Sequence, residues 1–292
     1  MSVTEMKDRI HFLNTGHSDC IILESAGHFA MVDAAEDTDF PPEKPSLNLP
    51  GYEDVVVDYL LTHCKGADGR VHLDFVLGTH AHSDHIGGFD TVIDHPEIDV
   101  ARAYLKRYDP KTIFFGEVRY WDNTEVYTQM LDACRRSGVE VVQQMDDTPF
   151  MLGNFQITLL NTAYKKRRFK YGENINSVVM LVEKAGTKVL LAGDLNYKDG
   201  DERRVADRVG HVDLLKVGHH GYVGSTSFYF AKKLTPRWAV ITNTYKAVYP
   251  DVRLKLKKVA KSEVLCTADL NGVLATVGPN GQIGFTTDIM QR

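Results

Sequence analysis

The chain has little cysteine, and none of it is paired by spacing. Cys20, Cys64, Cys134 and Cys266 are scattered, with no C-x-x-C between them, which excludes a structural zinc framework of the ribbon or finger type. Cys20 and Cys266 fall in apolar, strand-like runs and read as small buried hydrophobes. An even count permits disulfides, but no other feature suggests export. No run approaches 18 apolar residues, so no membrane-spanning helix is expected. Met1 to Arg9 lacks the apolar core of a signal peptide. Nor is there an excess of positive charge: the formal net charge is −5. No global basic field draws nucleic acid to the surface, which counts against a dedicated nuclease and leaves room only for a local basic groove. The expectation is a soluble cytoplasmic protein without a membrane partner. What remains is ordinary globular composition, 43% hydrophobic and 25% charged over 292 residues. No linker divides the chain, so residues 1–292 are read as one domain.

One stretch stands apart, Gly78-Thr79-His80-Ala81-His82-Ser83-Asp84-His85-Ile86-Gly87-Gly88. The apolar run from Val71 to Leu77 before it reads as a buried strand, and Phe89 to Ile93 after it as a loop turning into a helix. His80, His82, Asp84 and His85 all carry lone pairs suited to a transition metal. Three imidazoles and a carboxylate within six positions are a poor choice for packing alone.

The rest of the chain supplies the frame. Ile10–Asn14, Cys20–Glu24 and His28–Val32 read as strands joined by turns, with Asp33 closing the last. Residues 37–51 hold four prolines and read as loop. Residues 52–64 carry apolar positions at helical spacing, with Gly66 as a stop. Ile98 to Tyr104 reads as a strand. Residues 109–122 are rich in aromatics and show no clear period. Thr124 to Ser137 reads as a helix capped by Gly138. Val178 to Asp194 repeats the grammar of the first hairpin: apolar strand, turn, apolar strand, terminal Asp. This suggests an internal duplication, two sheet-plus-helix halves face to face. Val212–Val217 runs as a strand into Gly218-His219-His220-Gly221, and Val252–Lys261 reads as a basic amphipathic helix. Three strand ends therefore carry ligand-type residues: 80–85, Asp194, and His219/His220. Loops at one sheet edge can converge on one site.

With these motifs together, the chain resembles the metallo-β-lactamase superfamily. The H-x-H-x-D-H loop, the strand ending in Ala192-Gly193-Asp194 and the later histidines carry the resemblance. Leu13 to Cys20, Asn174 to Met180, Leu215 to Gly221 and Thr267 to Gly272 are similar to one branch, that of ComEC-type DNA-uptake nuclease domains and phosphorylcholine esterases. The resemblance covers nearly the whole chain apart from 37–51 and 109–145. It implies a four-layer αββα sandwich. It implies two divalent cations, Zn2+ first and Mn2+ as a second choice. His80 and His82 would bind the first, Asp84, His85 and His220 the second, with Asp194 as bridge. His219 would face the substrate, although the roles of His219 and His220 can be exchanged. Asn174 stands where many members have a further histidine, so it is a weak metal ligand or a substrate contact. The implied reaction is hydrolysis by metal-activated hydroxide, oriented by Asp84.

Lys165-Lys166-Arg167-Arg168-Phe169-Lys170-Tyr171 places five cations and two aromatics just before Asn174. It suits a phosphate chain or single-stranded nucleic acid, with Lys166, Arg167 and Arg168 as candidate contacts, and equally a solvated loop. His17 and Tyr222 read as packing or turn residues, and the other histidines lack ligand spacing. The expected activity is hydrolysis of a phosphodiester or another small phosphorylated molecule. The alternatives are a nuclease on DNA or RNA and, from another class, a metal-binding scaffold with a degenerate site.

Overall fold

The computed structural model describes residues 7–38, 49–164 and 172–291. Most of the proline-rich stretch and all of Lys166, Arg167 and Arg168 lie outside the described residues.

In chain order the strands are β1 (Asp8–Phe12), β2 (Cys20–Ser25), β3 (His28–Ala34), β4 (Val71–Gly78), β5 (Ile98–Val100), β6 (Arg102–Leu105), β7 (Glu140–Val142), β8 (Phe150–Leu152), β9 (Phe155–Leu160), β10 (Val179–Lys184), β11 (Thr187–Leu191), β12 (Leu214–Lys216), β13 (Trp238–Ile241), β14 (Glu263–Cys266), β15 (Val273–Val277) and β16 (Ile283–Thr287). The helices are α1 (Glu53–His63), α2 (Ser83–Ile86), α3 (Phe89–Asp94), α4 (Phe115–Tyr120), α5 (Asn123–Ser137), α6 (Asp201–Val209), α7 (Phe228–Leu234) and α8 (Pro250–Leu254).

Two sheets result. One is ordered β16-β15-β1-β2-β3-β4-β6-β7, with β5 also pairing β4; the other is ordered β14-β13-β12-β11-β10-β9-β8. The pairing sense repeats between them. β1, β2 and β3 are antiparallel neighbours, and β3 then runs parallel to β4. β9, β10 and β11 are antiparallel neighbours, and β11 then runs parallel to β12. The two similar hairpins thus occupy equivalent places in two halves. β15, from the C-terminal part, pairs with β1 and ties the end of the chain to its start.

Both faces of each sheet are covered, which is why the strands read as continuous apolar runs. In β2, Ile21 and Leu23 point into the core between the sheets with Phe155, Ile157, Met180 and Val240. Cys20 and Ile22 point the other way, toward α1, α3 and α5, among Leu60, Phe89, Val126 and Met130. The second sheet packs against α6, α7 and α8 through Val205, Phe230 and Val252. Three apolar layers between four structural layers give the αββα sandwich. Phe12, Phe89 and Phe155 are wholly buried, Phe89 between the first sheet and its helices and Phe12 with Phe155 between the two sheets. Each such side chain contributes about 1.5–3 kcal/mol through burial.

Local structure departs from the sequence reading in three places. Ser83–Ile86, inside the histidine loop, is a helical turn. The two glycines that follow explain how it fits. A Cβ on Gly87 would lie 2.4 Å from the Asp37 nitrogen, and one on Gly88 would lie 2.4 Å from the Ala34 carbonyl oxygen. The turn is pressed against the backbone leaving β3, and no side chain fits between. Ile98 to Tyr104 is two strands, because Ala101 donates to Leu73 between them and both pieces pair with β4. The basic helix near the C-terminus is α8 followed by a wider π turn over Lys255–Ala260, closed by Lys261 at φ 60°. All four cysteines are free and buried.

Candidate metal centre

The ligand-type residues all leave the sheets at one edge. His80, His82, Asp84 and His85 follow β4, Asp194 follows β11, and His219 and His220 follow β12. The fold brings them into two adjoining clusters. His80, His82 and Asp194 form one, and Asp84, His85 and His220 the other, each with ligand atoms within 4.8 Å of one another. His80 Nε2 lies 2.9 Å from His82 Nδ1 and 4.0 Å from Asp194 Oδ2. His85 Nε2 lies 3.2 Å from His220 Nε2 and 3.1 Å from Asp194 Oδ1. His220 Nε2 is also 3.3 Å from Asp84 Oδ2 and 3.4 Å from Asp194 Oδ1. The two oxygens of Asp194 thus face different clusters.

Hydrogen-bond direction fixes which ring nitrogen carries the proton. Thr79 Oγ1 lies 2.8 Å from Asp33 Oδ2 and donates to it, so it accepts from His80 Nδ1 at 3.0 Å. His85 Nδ1 donates to Asp33 Oδ2 at 2.7 Å. Thr242 Oγ1 donates to Asp19 Oδ1 at 2.6 Å and accepts from His220 Nδ1 at 3.0 Å. His82 is reversed: its Nε2 donates to Glu117 Oε1 at 2.8 Å. Each imidazole therefore turns its other ring nitrogen inward, Nε2 of His80, His85 and His220 and Nδ1 of His82. Two pairs of these nitrogens stand 2.9 and 3.2 Å apart, within reach of one shared proton or one cation. Asp194 Oδ1 is buried with no aligned hydrogen bond, and so is Asn174 Oδ1. The donor set fits divalent cations.

Electrostatics differ among the histidines: against the effect of burial, Asp194, Asp33 and Asp84 hold His85 well above the ordinary range. Burial pushes His80 well below the ordinary histidine range, and its histidine neighbours push the same way. Burial also opposes charge on His220, but Asp194 and Asp19 outweigh it and raise its pKa to about 9. Asp84 is opposed by burial yet lowered to about 2, chiefly by His85 and His220.

The two late histidines separate clearly. His220 is buried and points into the second cluster. His219 is partly exposed; its Nδ1 faces the Val223 carbonyl at 3.1 Å and its Nε2 stands 3.8 Å from Asp194 Oδ2. Both adopt left-handed backbone, φ 51° and 48°. Such non-glycine residues cost about 1–3 kcal/mol each and persist only where the surroundings hold them. His219 N–H donates to the Gly193 carbonyl, and Asn243 Nδ2 donates to the His220 carbonyl. Tyr222, read from sequence as packing, has its ring 5.7 Å from that of His219 and 6.2 Å from that of His220.

Sequence reasoning missed the outer partners. Asp19, Asp33, Glu117 and Lys216 are all buried. Lys216 ion-pairs with Asp19 and donates to the Gly193 carbonyl at 3.2 Å. Burial disfavours charge on Asp19, and Lys216 reverses that, leaving the carboxyl well below its usual range. A lysine inside the run Leu214-Leu215-Lys216-Val217 was the readable signal for that pair. Asp33 was readable as the counterpart of Asp194 at the end of the repeated hairpin. Glu117 sits in the segment without a period, and no signal pointed to it.

Comparison with known proteins agrees with this architecture. The model of the beta-lactamase superfamily domain matches residues 53–222. ComE operon protein 3 of Bacillus subtilis (strain 168) is 30% identical over 178 residues, covering 60% of this chain and 20% of that protein. Recombination protein 2 of Haemophilus influenzae (strain Rd) is 27% identical over 173 residues, covering 59% of this chain and 18% of that one. The chain thus spans about a fifth of the length of these curated relatives. Among solved structures, the metallo-beta-lactamase fold protein YhfI from Bacillus subtilis superposes with a TM-score of 0.55 at 13% identity, over 96% of this chain and all of that one. CmlA, a diiron beta-hydroxylase from Streptomyces venezuelae, gives 0.50 at 14% identity, over 90% of this chain and 53% of that one. At such identities these two likenesses concern the fold alone. Among the described residues, no helix is long and apolar enough to cross a membrane.

Proposed function

The chain belongs to the metallo-β-lactamase superfamily, of ComEC type, and from that premise we propose that it is a metal-dependent hydrolase of a phosphodiester or another small phosphorylated molecule. The observation that carries this reading is the convergence of His80, His82, Asp84, His85 and His220 in two clusters around the two oxygens of Asp194. His80, His82 and Asp194 Oδ2 would hold one divalent cation. Asp84, His85, His220 and Asp194 Oδ1 would hold the other. Asn174 Oδ1, buried without a hydrogen-bond partner, would add a weak donor to the first. Imidazole-rich sites favour Zn2+, and the oxygen share of the set leaves Mn2+ as second choice. Bound cations of this kind lower the pKa of water and offset charge on the transferring oxygens.

The chain's own residues then have separate tasks. Asp84 is partly exposed at the edge of the second cluster and can accept a proton from an attacking water and hold it in line. His219 presents Nε2 at the open side of the site, where it can contact a phosphoryl oxygen or the leaving group. Asp33, Asp19 and Glu117 keep the histidine tautomers in place.

The test is metal analysis of the purified chain, then hydrolysis of bis-p-nitrophenyl phosphate with and without chelator. Chelator-sensitive turnover supports the reading. Two bound ions without turnover on any phosphodiester would overturn it in favour of a scaffold with a degenerate site. A second reading, a nuclease on DNA or RNA, is favoured by relatives whose names refer to recombination and competence. Preferential cleavage of single-stranded DNA at physiological salt would promote that reading.

A further inference from the structure

The outer partners of the histidines differ in kind, and His80 leans on Thr79, just after β4. His85 and His220 lean on Asp33 at the end of β3, Asp19 just before β2, and Thr242 just after β13. Those positions belong to the sheets. His82 leans on Glu117, which belongs to α4, a helix of six residues in the segment where sequence shows no period. Around it Phe114, Phe115, Tyr120 and Trp121 are 50%, 63%, 62% and 45% exposed. The Trp121 ring stands edge-on to His82 with centroids 4.8 Å apart.

Glu117 is built for a single task. Three donors aim at the same oxygen, Oε1: His82 Nε2 at 2.8 Å, Asn123 Nδ2 at 2.9 Å and the Glu173 N–H at 2.9 Å. Position 172 is glycine, and a Cβ there would fall 2.0 Å from Glu117 Oε2. The carboxylate is buried and clamped from both sides of the chain. Its one effect on the centre is to hold the proton of His82 on Nε2, which turns Nδ1 toward His80 Nε2.

We propose that Glu117 is a positioning residue that sets the affinity of the His80/His82/Asp194 position, so that occupancy of this first metal position depends on α4 while the second does not. The inference rests on the dinuclear reading above. Loss of an outer partner of a metal-ligating histidine costs about 10–100-fold in metal affinity. That loss should fall on one of two binding steps. Glu117→Gln keeps a carbonyl oxygen for the same three donors while its second oxygen becomes a neutral amide nitrogen, so its loss should be smaller than that of Glu117→Ala.

The experiment is Zn2+ titration of the metal-free protein against a competing chelating dye, for wild type, Glu117→Gln and Glu117→Ala. The thermal midpoint of each metal-free form is measured alongside. Expected are two steps in wild type, with the weaker step lowered about 10–100-fold in Glu117→Ala and by a smaller but measurable factor in Glu117→Gln, and the tighter step unchanged in both. If Glu117→Ala does not fold, Glu117→Gln decides. Wild-type affinity in Glu117→Gln, or equal losses in both steps, overturns the inference while the dinuclear reading stands. A wild-type protein that takes up one ion overturns both.

Discussion

At the scale of single residues, the centre is held by charges that sequence left unpaired. Lys216 is wholly buried against Asp19, and removing one partner of such a pair leaves the other charge stranded. Lys216→Met should lower stability by about 3–5 kcal/mol, read by urea unfolding of the metal-free protein. The folded state depresses the Asp19 pKa, so its stabilising contribution is full above the ordinary aspartate value and lost as pH falls through the lowered one. The variant should therefore show a weaker acid-side loss than wild type; an unchanged acid limb would remove Lys216 from the account. Asp84→Asn and His82→Ala should both abolish hydrolysis with little change in the unfolding midpoint, since ligands at strand ends add little to the apolar cores. Retained turnover in either would move the chemistry elsewhere. The inner residues 80–85, 194 and 220 were legible because they are chemically unusual in apolar surroundings. Asp19 and Asp33 read from sequence only as part of a turn and as a strand end, because an acid near a turn is commonplace and only the fold shows what it faces.

Elements decide how those residues meet. Asp33, the last residue but one of β3, has φ 57°, and this one carboxylate accepts from the Thr79 N–H, Thr79 Oγ1 and His85 Nδ1. It fastens the end of β3 to the start of the histidine loop after β4. Asp33→Ala strands three buried donors, and each such loss costs about 1–3 kcal/mol. The expected total is about 3 kcal/mol or more, in equilibrium unfolding without metal. Asp33→Asn tolerates the left-handed backbone and keeps one carbonyl oxygen, so it should lose less. Equal losses in the two variants would mean that the hydrogen bonds do not matter here. Strands and the longer helices were legible from period and caps, as in α5, where Gly138 at φ 68° closes the helix. α2 and α4 were not. Each is too short for a period to register, and both are fixed by tertiary contacts: α2 by the glycines against the β3 loop, α4 by the grip of Glu117 on His82.

At the scale of the whole molecule, the repeat visible as two hairpins ending in Asp became two sheets whose first strands pair in the same sense, with Asp33 and Asp194 at matching ends. Sequence carried that because hairpin grammar is local. It did not carry the division of labour, in which Asp194 faces both ligand clusters and Asp33 the histidines behind them, because that depends on which sheet edge the loops fold over. Substrate class is also a property of the whole surface. The net charge of −5 gives no general attraction for polyanions, and the concentrated basic stretch is 165–171, outside the described residues. Replacing Lys166, Arg167 and Arg168 together with glutamine removes three candidate phosphate contacts. On single strands each contributes about 0.7 units to the slope of log affinity against log salt, so three contribute about 2. If the substrate is nucleic acid, the triple variant should bind single-stranded DNA far more weakly and with a slope shallower by about that amount. If the substrate is a small phosphodiester, only groups touching one phosphate matter, and the variant should keep most of its turnover of bis-p-nitrophenyl phosphate. The second outcome is expected, because the chain is acidic overall and this run equally suits a solvated loop. Strong wild-type cleavage of single-stranded DNA at physiological salt, lost in the triple variant while the small ester is still hydrolysed, would reverse that choice.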